Sequence, residues 1–177
     1  MLGSFLLLLA QAATASTPPA PPPPACATPG HAGFDFWLGE WEVYPNIPDP
    51  TKAPLIARSR IEKLYAGCAV RENWMPLKGA GGGSLNSYDP ATGRWQQLWL
   101  DNQGGRVEFQ GGVTGGKMVL TGFWRGVNGP GKDGLTRMTY TAIDSDTVRQ
   151  HGAVSTDHGL TWSDSFDFIY RRAKPAR

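Results

Sequence analysis

Charge is scarce in this 177-residue chain and nearly balanced: 17 Lys+Arg stand against 15 Asp+Glu, a formal net charge of +2. A protein that works mainly on nucleic acid or an anionic membrane carries a basic excess, so neither is expected as a partner. With 18% charged residues, seven Trp and 23 Gly, the composition suits neither a helical bundle nor a disordered chain. The apolar run Phe5 to Ala10 falls short of the roughly 20 residues that a membrane-spanning helix takes. No stretch of helical periodicity separates the apolar segments, which excludes a parallel α/β sheet. The length fits one globular domain that buries its core without a metal or several disulfides.

Residues 1–30 hold no Asp, Glu, Lys or Arg. The run Phe5 to Ala10 followed by Ala13-Thr14-Ala15 is expected to be an export signal over residues 1–15, cleaved near Ala15. That places the protein in the periplasm or outside the cell, with no membrane span after cleavage. The usual basic residue before the apolar run is missing, so either Met1 is not the true start or the α-amino group alone supplies the charge. Pro18 to Pro24 is almost pure proline, an extended segment lacking most backbone donors, and reads as part of a spacer over 16–32. Cys26 and Cys68 are the only cysteines. Three fates are open: a disulfide, which suits an oxidising compartment; a buried Cys68 with Cys26 free; or lipid attachment at Cys26, although Pro23-Pro24-Ala25 does not resemble a lipobox.

After His31 the chain alternates short β-branched and aromatic runs with explicit turns such as Asp89-Pro90-Ala91-Thr92-Gly93, Asn102-Gln103-Gly104-Gly105 and Asp157-His158-Gly159. Nine or ten strands are expected, at roughly 40–44, 55–65, 68–75, 82–88, 94–101, 105–111, 117–125, 135–143, 147–155 and 161–171. So many sequential strands leave exposed edges unless the sheet closes, which predicts an all-β, antiparallel up-and-down barrel over 33–172. A two-sheet sandwich is the competitor. Ala32 to Leu38 is expected to make one short helical turn that plugs an end, and 173–177 to be a disordered tail.

Gly39-Glu40-Trp41 opens the first strand and Tyr170-Arg171-Arg172 closes the last. This resembles the calycin (lipocalin-like) arrangement, in which the first-strand Trp packs across the barrel bottom under a C-terminal Arg. The resemblance implies structural roles for Gly39, Trp41 and Arg171. The longer pattern Phe34 to Trp41, Gly67-Cys68, Glu72-Asn73-Trp74, Gly83-Ser84, Tyr88-Asp89, Trp95-Gln96-Gln97 and Ser155 to Trp162 resembles a bacterial domain-of-unknown-function family thought to be lipocalin-like. It covers about residues 33–172 and implies a fold but no established reaction. Haem ligation through His151 resembles what haem-binding calycins do with a late-strand His. The glycine-rich motif those relatives use is absent, so no cofactor is expected.

Ser155-Thr156-Asp157-His158-Gly159-Leu160-Thr161-Trp162 fits the Asp-box pattern. Asp157 accepts from turn N–H groups, Gly159 allows positive φ and Trp162 packs beneath, so the motif is expected to clasp a hairpin. The P-loop look-alike Gly111 to Lys117 has Met118 where Ser or Thr must reach Mg²⁺. The segment Gly79-Ala80-Gly81-Gly82-Gly83-Ser84 has no following helix and no nucleophile elbow and reads as a flexible rim loop. His31, His151 and His158 lack metal-site spacing. What remains are polar residues in alternating sets: Glu72 with Val70 and Trp74, and Gln97 with Trp95 and Trp99. Pointing inward, they need partners, from each other, from Arg60, Arg137 or His151, or from a ligand. The expected ligand-lining set is Glu72, Trp74, Trp95, Gln97, Trp99, Tyr140 and His151, around a small hydrophobic or amphipathic molecule. The alternatives are an enzyme using Glu72 or His151 as acid/base, and a cell-envelope interaction module with no ligand.

Overall fold

The computed structural model describes residues 25–174; the expected export signal, the proline run and the end of the expected tail lie outside the described residues. Ten strands run in sequence order: β1 (Gly39–Pro45), β2 (Ala57–Leu64), β3 (Ala69–Pro76), β4 (Gly82–Asp89), β5 (Arg94–Asp101), β6 (Arg106–Thr114), β7 (Lys117–Trp124), β8 (Gly134–Asp144), β9 (Thr147–Ser155) and β10 (Ser163–Arg172). Each pairs antiparallel with its sequence neighbours, and β1 closes on β10 from Trp41↔Arg172 to Pro45↔Phe168. The result is a closed up-and-down barrel with no free sheet edge. The sandwich alternative is excluded. Among the described residues no helix is long and apolar enough to cross a membrane.

Side chains alternate across each strand, so one face of every strand lines the barrel interior. In β5 the inward set is Trp95, Gln97 and Trp99; in β3 it is Val70, Glu72 and Trp74; in β10 it is Phe166, Phe168 and Tyr170, after a bulge between Asp164 and Phe166. At one end the axis is filled by the chain preceding β1. Two short 3₁₀ turns, Pro29–Ala32 and Asp35–Trp37, carry His31 and Trp37 into the barrel with Phe34 on the link between them, all three buried. Phe34 meets Trp95 edge-on at 5.0 Å, and Trp37 lies 4.8 Å from the Tyr140 ring. Trp95 Nε1 donates to Gly30 O (3.1 Å), and Trp41 Nε1 to Trp37 O (2.8 Å).

The plug begins earlier than the expected Ala32, and residues 25–32 belong to the fold instead of the spacer. A disulfide between Cys26 and Cys68 explains why: it ties the start of the plug to the β2–β3 turn, with 4.9 Å between Cα atoms. Closing a 42-residue separation restricts the unfolded chain by about 4 kcal/mol on loop-entropy grounds. At the other terminus Ala173 N donates to Glu40 O (2.8 Å), so the strand's hydrogen bonding runs one residue into the expected tail.

The cation over Trp41 is Arg172 (4.4 Å to the ring centroid), not Arg171, which covers Tyr44 instead (4.8 Å). Parity is the reason: Arg172 shares a face with the inward Tyr170, and Arg171 points out. Gly39 has φ +125°, and a Cβ there would sit 2.5 Å from Arg172 Nη1, so the seal requires glycine. In the β9–β10 hairpin, Thr161 N donates to Asp157 Oδ1 (2.9 Å), Ser155 Oγ to Asp157 Oδ1 (2.7 Å) and Trp162 Nε1 to Gly159 O (3.0 Å). These bonds, the Ser155 hydroxyl first, hold the Asp157 carboxyl down to about 2. The motif is a clasp. Of the expected glycine rim loop, Gly82 and Gly83 belong to β4; a Cβ on Gly82 would lie 2.8 Å from the Trp99 indole, so glycine there lets that ring lie against the strand.

Candidate functional site

Beyond the plug, the other half of the barrel is hollow. A cavity of about 240 Å³ lies between an aromatic mouth and a polar floor. Trp74, Trp99, Trp124, Phe166 and Phe168 form the mouth, with Phe109 and Met138 below them. Trp74 stacks on Phe168 (5.7 Å between centroids), and Phe166 stacks on Phe168 (5.2 Å). Glu72, Gln97, Tyr140, Gln150 and Tyr170 make the floor, each at most 7% exposed.

The floor is a hydrogen-bonded belt whose polarity can be followed atom by atom. Asn86 Nδ2 donates to Val70 O (2.9 Å) and to Ser84 Oγ (3.0 Å), and Ser84 Oγ donates to Glu72 Oε2 (3.2 Å). Asn86 must therefore present its Oδ1 to Gln97, whose Nε2 donates to it at 2.7 Å. That orientation leaves Gln97 Oε1 as a buried acceptor without a protein partner. Gln150 Nε2 donates to the Tyr140 hydroxyl (3.1 Å), and Gln150 Oε1 takes the Tyr170 proton at 2.6 Å. Tyr170 has one proton, so its 3.4 Å approach to Glu72 Oε1 is secondary. The Tyr140 proton has only Met138 Sδ within reach, at 3.7 Å. Trp99 Nε1, at the mouth, is also buried and unpartnered.

Glu72 is the chemically distinctive member. It is 4% exposed, and its bonds come only from neutral hydroxyls: Ser59 (3.2 Å), Ser84 (3.2 Å) and, at greater length, Tyr170. Burial pushes its carboxyl up to about 7, against the weaker opposing pull of those hydroxyls. Burial raises the Tyr140 and Tyr170 phenols too, with the Glu72 charge adding to it, so both are neutral across the physiological range. Among the described residues no Lys, Arg or His lines the cavity.

The structure thus brings Glu72, Trp74, Gln97, Trp99 and Tyr140 of the expected set to one cavity and separates the other two. Trp95 faces inward but is sealed into the plugged end against Phe34. His151 is on the outer face of β9, where its Nε2 pairs with Asp164 Oδ1 at 2.8 Å. From there it can serve neither as an acid/base nor as an axial ligand inside the barrel. The expected charged partners of Glu72 are outside as well: Arg60 pairs with Glu62 (2.8 Å), and Arg137 lies over Trp162 (4.1 Å). Gln150, Phe166, Phe168 and Tyr170 were not among the expected lining residues. Parity could have found them, since Gln150 alternates with the buried Val148, and the three aromatics of β10 share one face. Among the described residues no cluster of three His, Cys, Asp or Glu side chains could hold a metal ion. No family model and no curated protein matches this chain, so the geometry of this cavity carries the functional reading.

Proposed function

We propose that this is an exported lipocalin-like protein that binds a small, partly apolar molecule in its barrel. The observation that carries the reading is the cavity of about 240 Å³ with aromatic walls and an unpartnered Gln97 Oε1 at its floor. An apolar enclosure with a few converging polar groups is the usual form of a small-molecule site, and buried acceptors without partners are costly unless something fills them. The volume falls just below the customary range for drug-sized ligands, roughly 300–1,000 Å³, which favours a compact ligand. The Cys26–Cys68 disulfide supports the export reading, because such bonds persist in oxidising compartments. The first-strand Trp under a terminal Arg supports kinship with the lipocalin-like family named above.

One observation favours a second reading. A carboxyl held up at about 7 can give and take a proton near neutrality, as a general acid or base does. Its neighbours are hydroxyls and amides, with no His, Cys or Lys lining the cavity to act as nucleophile or relay. Glu72→Gln separates the two readings: an enzyme loses turnover, whereas a binder changes affinity.

Native mass spectrometry of protein taken from the envelope of its own cells tests the main reading. A retained small molecule, released on denaturation, is the expected result. Recovery of empty protein, with no thermal shift across a panel of lipids, haem and small aromatics, would leave the interaction module in its place.

A further inference from the structure

Taking the ligand-binding reading as its basis, the geometry points to one class of occupant. We infer that the cavity takes a small organic cation, a primary ammonium on an aromatic or short apolar body, with the ammonium seated on Glu72 and the body between Trp74, Trp99 and Phe168.

The charge inventory comes first. Among the described residues Glu72 is the one acidic residue lining the cavity, and no basic residue lines it. The Arg and His side chains expected to pair with it lie on the outer face, so among the described residues no cation faces it. Its two serine bonds, both 3.2 Å, are long for bonds to a carboxylate, which run about 2.5–2.7 Å when tight. A buried carboxylate without a cation is unfavourable, and a ligand that supplies the cation removes that cost on binding. An anionic ligand would put like charge beside Glu72 with nothing to offset it. A purely apolar ligand would leave both Glu72 and Gln97 Oε1 desolvated.

Hydrogen-bond valence agrees. An ammonium offers donors and no acceptor; at the floor Gln97 Oε1 is an acceptor without a partner, the Glu72 oxygens keep lone pairs beyond the serine bonds, and the one weakly held donor is the Tyr140 hydroxyl, on Met138 Sδ. The walls agree too, because aromatic faces carry the negative side of the ring quadrupole and attract cations. Trp99 Nε1, the unpartnered donor at the mouth, is left for a hydroxyl or ether oxygen on the ligand body. The volume of about 240 Å³ admits a body of one ring with a short side chain and no long acyl tail.

The pH dependence follows from the same surroundings. Around Glu72 are Ser59 of β2, Ser84 of β4 and Tyr170 of β10, with Tyr140 of β8 close enough to feel its charge; the two tyrosines are the titratable groups among them, and both stay neutral. Ammonium binding needs the ionised carboxylate, so affinity for a cation falls as the pH drops below about 7.

The test is isothermal titration calorimetry on the full chain with three probes of matched shape: 2-phenylethylamine, 2-phenylethanol and phenylacetate. At about pH 8 the amine should bind on the order of 10- to 100-fold more tightly than the alcohol, as one charge-assisted contact implies. Phenylacetate should bind most weakly. The amine's advantage should shrink towards equality in Glu72→Gln, and in the wild type at about pH 5.5, while the affinity for the alcohol holds. The wild-type pH series stands by itself if the variant does not fold. Equal or tighter binding of the alcohol at about pH 8, or an amine preference that survives Glu72→Gln or acid, overturns the cation assignment and leaves the cavity reading intact. Failure of all three probes to bind overturns both.

Discussion

The two halves of the barrel are lined by the same kind of residue and do different things. At the plugged end Phe34, Trp37, Trp41 and Trp95 are at most 2% exposed, because the 3₁₀ turns before β1 occupy the axis and bring their own aromatics. At the open end Trp74, Trp99, Trp124, Phe166 and Phe168 are only partly buried and surround a void. Aromatic content therefore does not distinguish a core from a pocket. What distinguishes them is whether a segment of the chain fills the axis. Close packing follows where one does, and a barrel of this width is left hollow where none does.

The largest expected effect is the difference between two indoles. Trp37→Ala removes a side chain with no exposure and should cost about 3–5 kcal/mol, the range for a large aromatic deleted from a packed core. Trp99→Ala enlarges an existing cavity at the mouth and should cost about 1–2 kcal/mol, since fewer packed contacts are lost. Urea unfolding of both variants measures the gap. Equal losses would mean that the open half is packed as tightly as the plug, and the contrast would fail.

Much of this was legible in the residues. Period-two alternation placed Glu72, Gln97, Trp74 and Trp99 on inward faces, and the turn chemistry located all ten strands to within a few residues. Parity also held the answer for Arg172 and Gln150, where chemical prominence pointed to the wrong neighbour: His151 draws attention as an acid/base, yet it alternates against Val148 and must face out. The plug was only partly legible, because turns of three or four residues have little intrinsic preference and are formed by docking against the barrel end. Trp95 misled for a related reason. It shares a face with Trp99, but four residues along a strand is about 13 Å, enough to put one indole in the plug and the other at the mouth. The Gln97 Oε1 vacancy needed the Asn86 amide to be oriented first, and that orientation is set by the carbonyl of Val70 across the β3–β4 pair.

The second effect concerns the floor of the open half. Glu72 has an ordinary value of 4.5 and is raised to about 7 by burial. Between those values the folded state holds a proton that the unfolded chain has released. Native protein then binds more protons, so stability falls as pH rises through the window and levels off above about 7. The full drop is about 3 kcal/mol. Glu72→Gln should abolish it, giving a flat profile over the same window in urea or thermal unfolding. A wild-type profile that is flat or rises there would show that the floor solvates the carboxylate, and the open half would lose its electrostatic distinction from the plugged half.

The smallest effect tests the outer seal of the plugged end. Arg172 covers the Trp41 ring, donates to Leu38 O (3.2 Å) and Ser145 O (2.8 Å), and pairs with Asp146 (2.9 Å). Arg171 covers Tyr44 on the outer surface and has no comparable set of bonds. Arg172→Ala should cost about 1–2 kcal/mol through lost stacking and carbonyl bonds, and Arg171→Ala about 0.5 kcal/mol or less. Near-ultraviolet circular dichroism should register the first change through Trp41 and leave the second silent. Ligand affinity should be unmoved by either, because the plug stands between Arg172 and the cavity. If Arg172→Ala weakens binding at the far end, the two halves are coupled through Trp41 and Tyr170, whose rings lie 6.4 Å apart, and the plug must then be counted as part of the site.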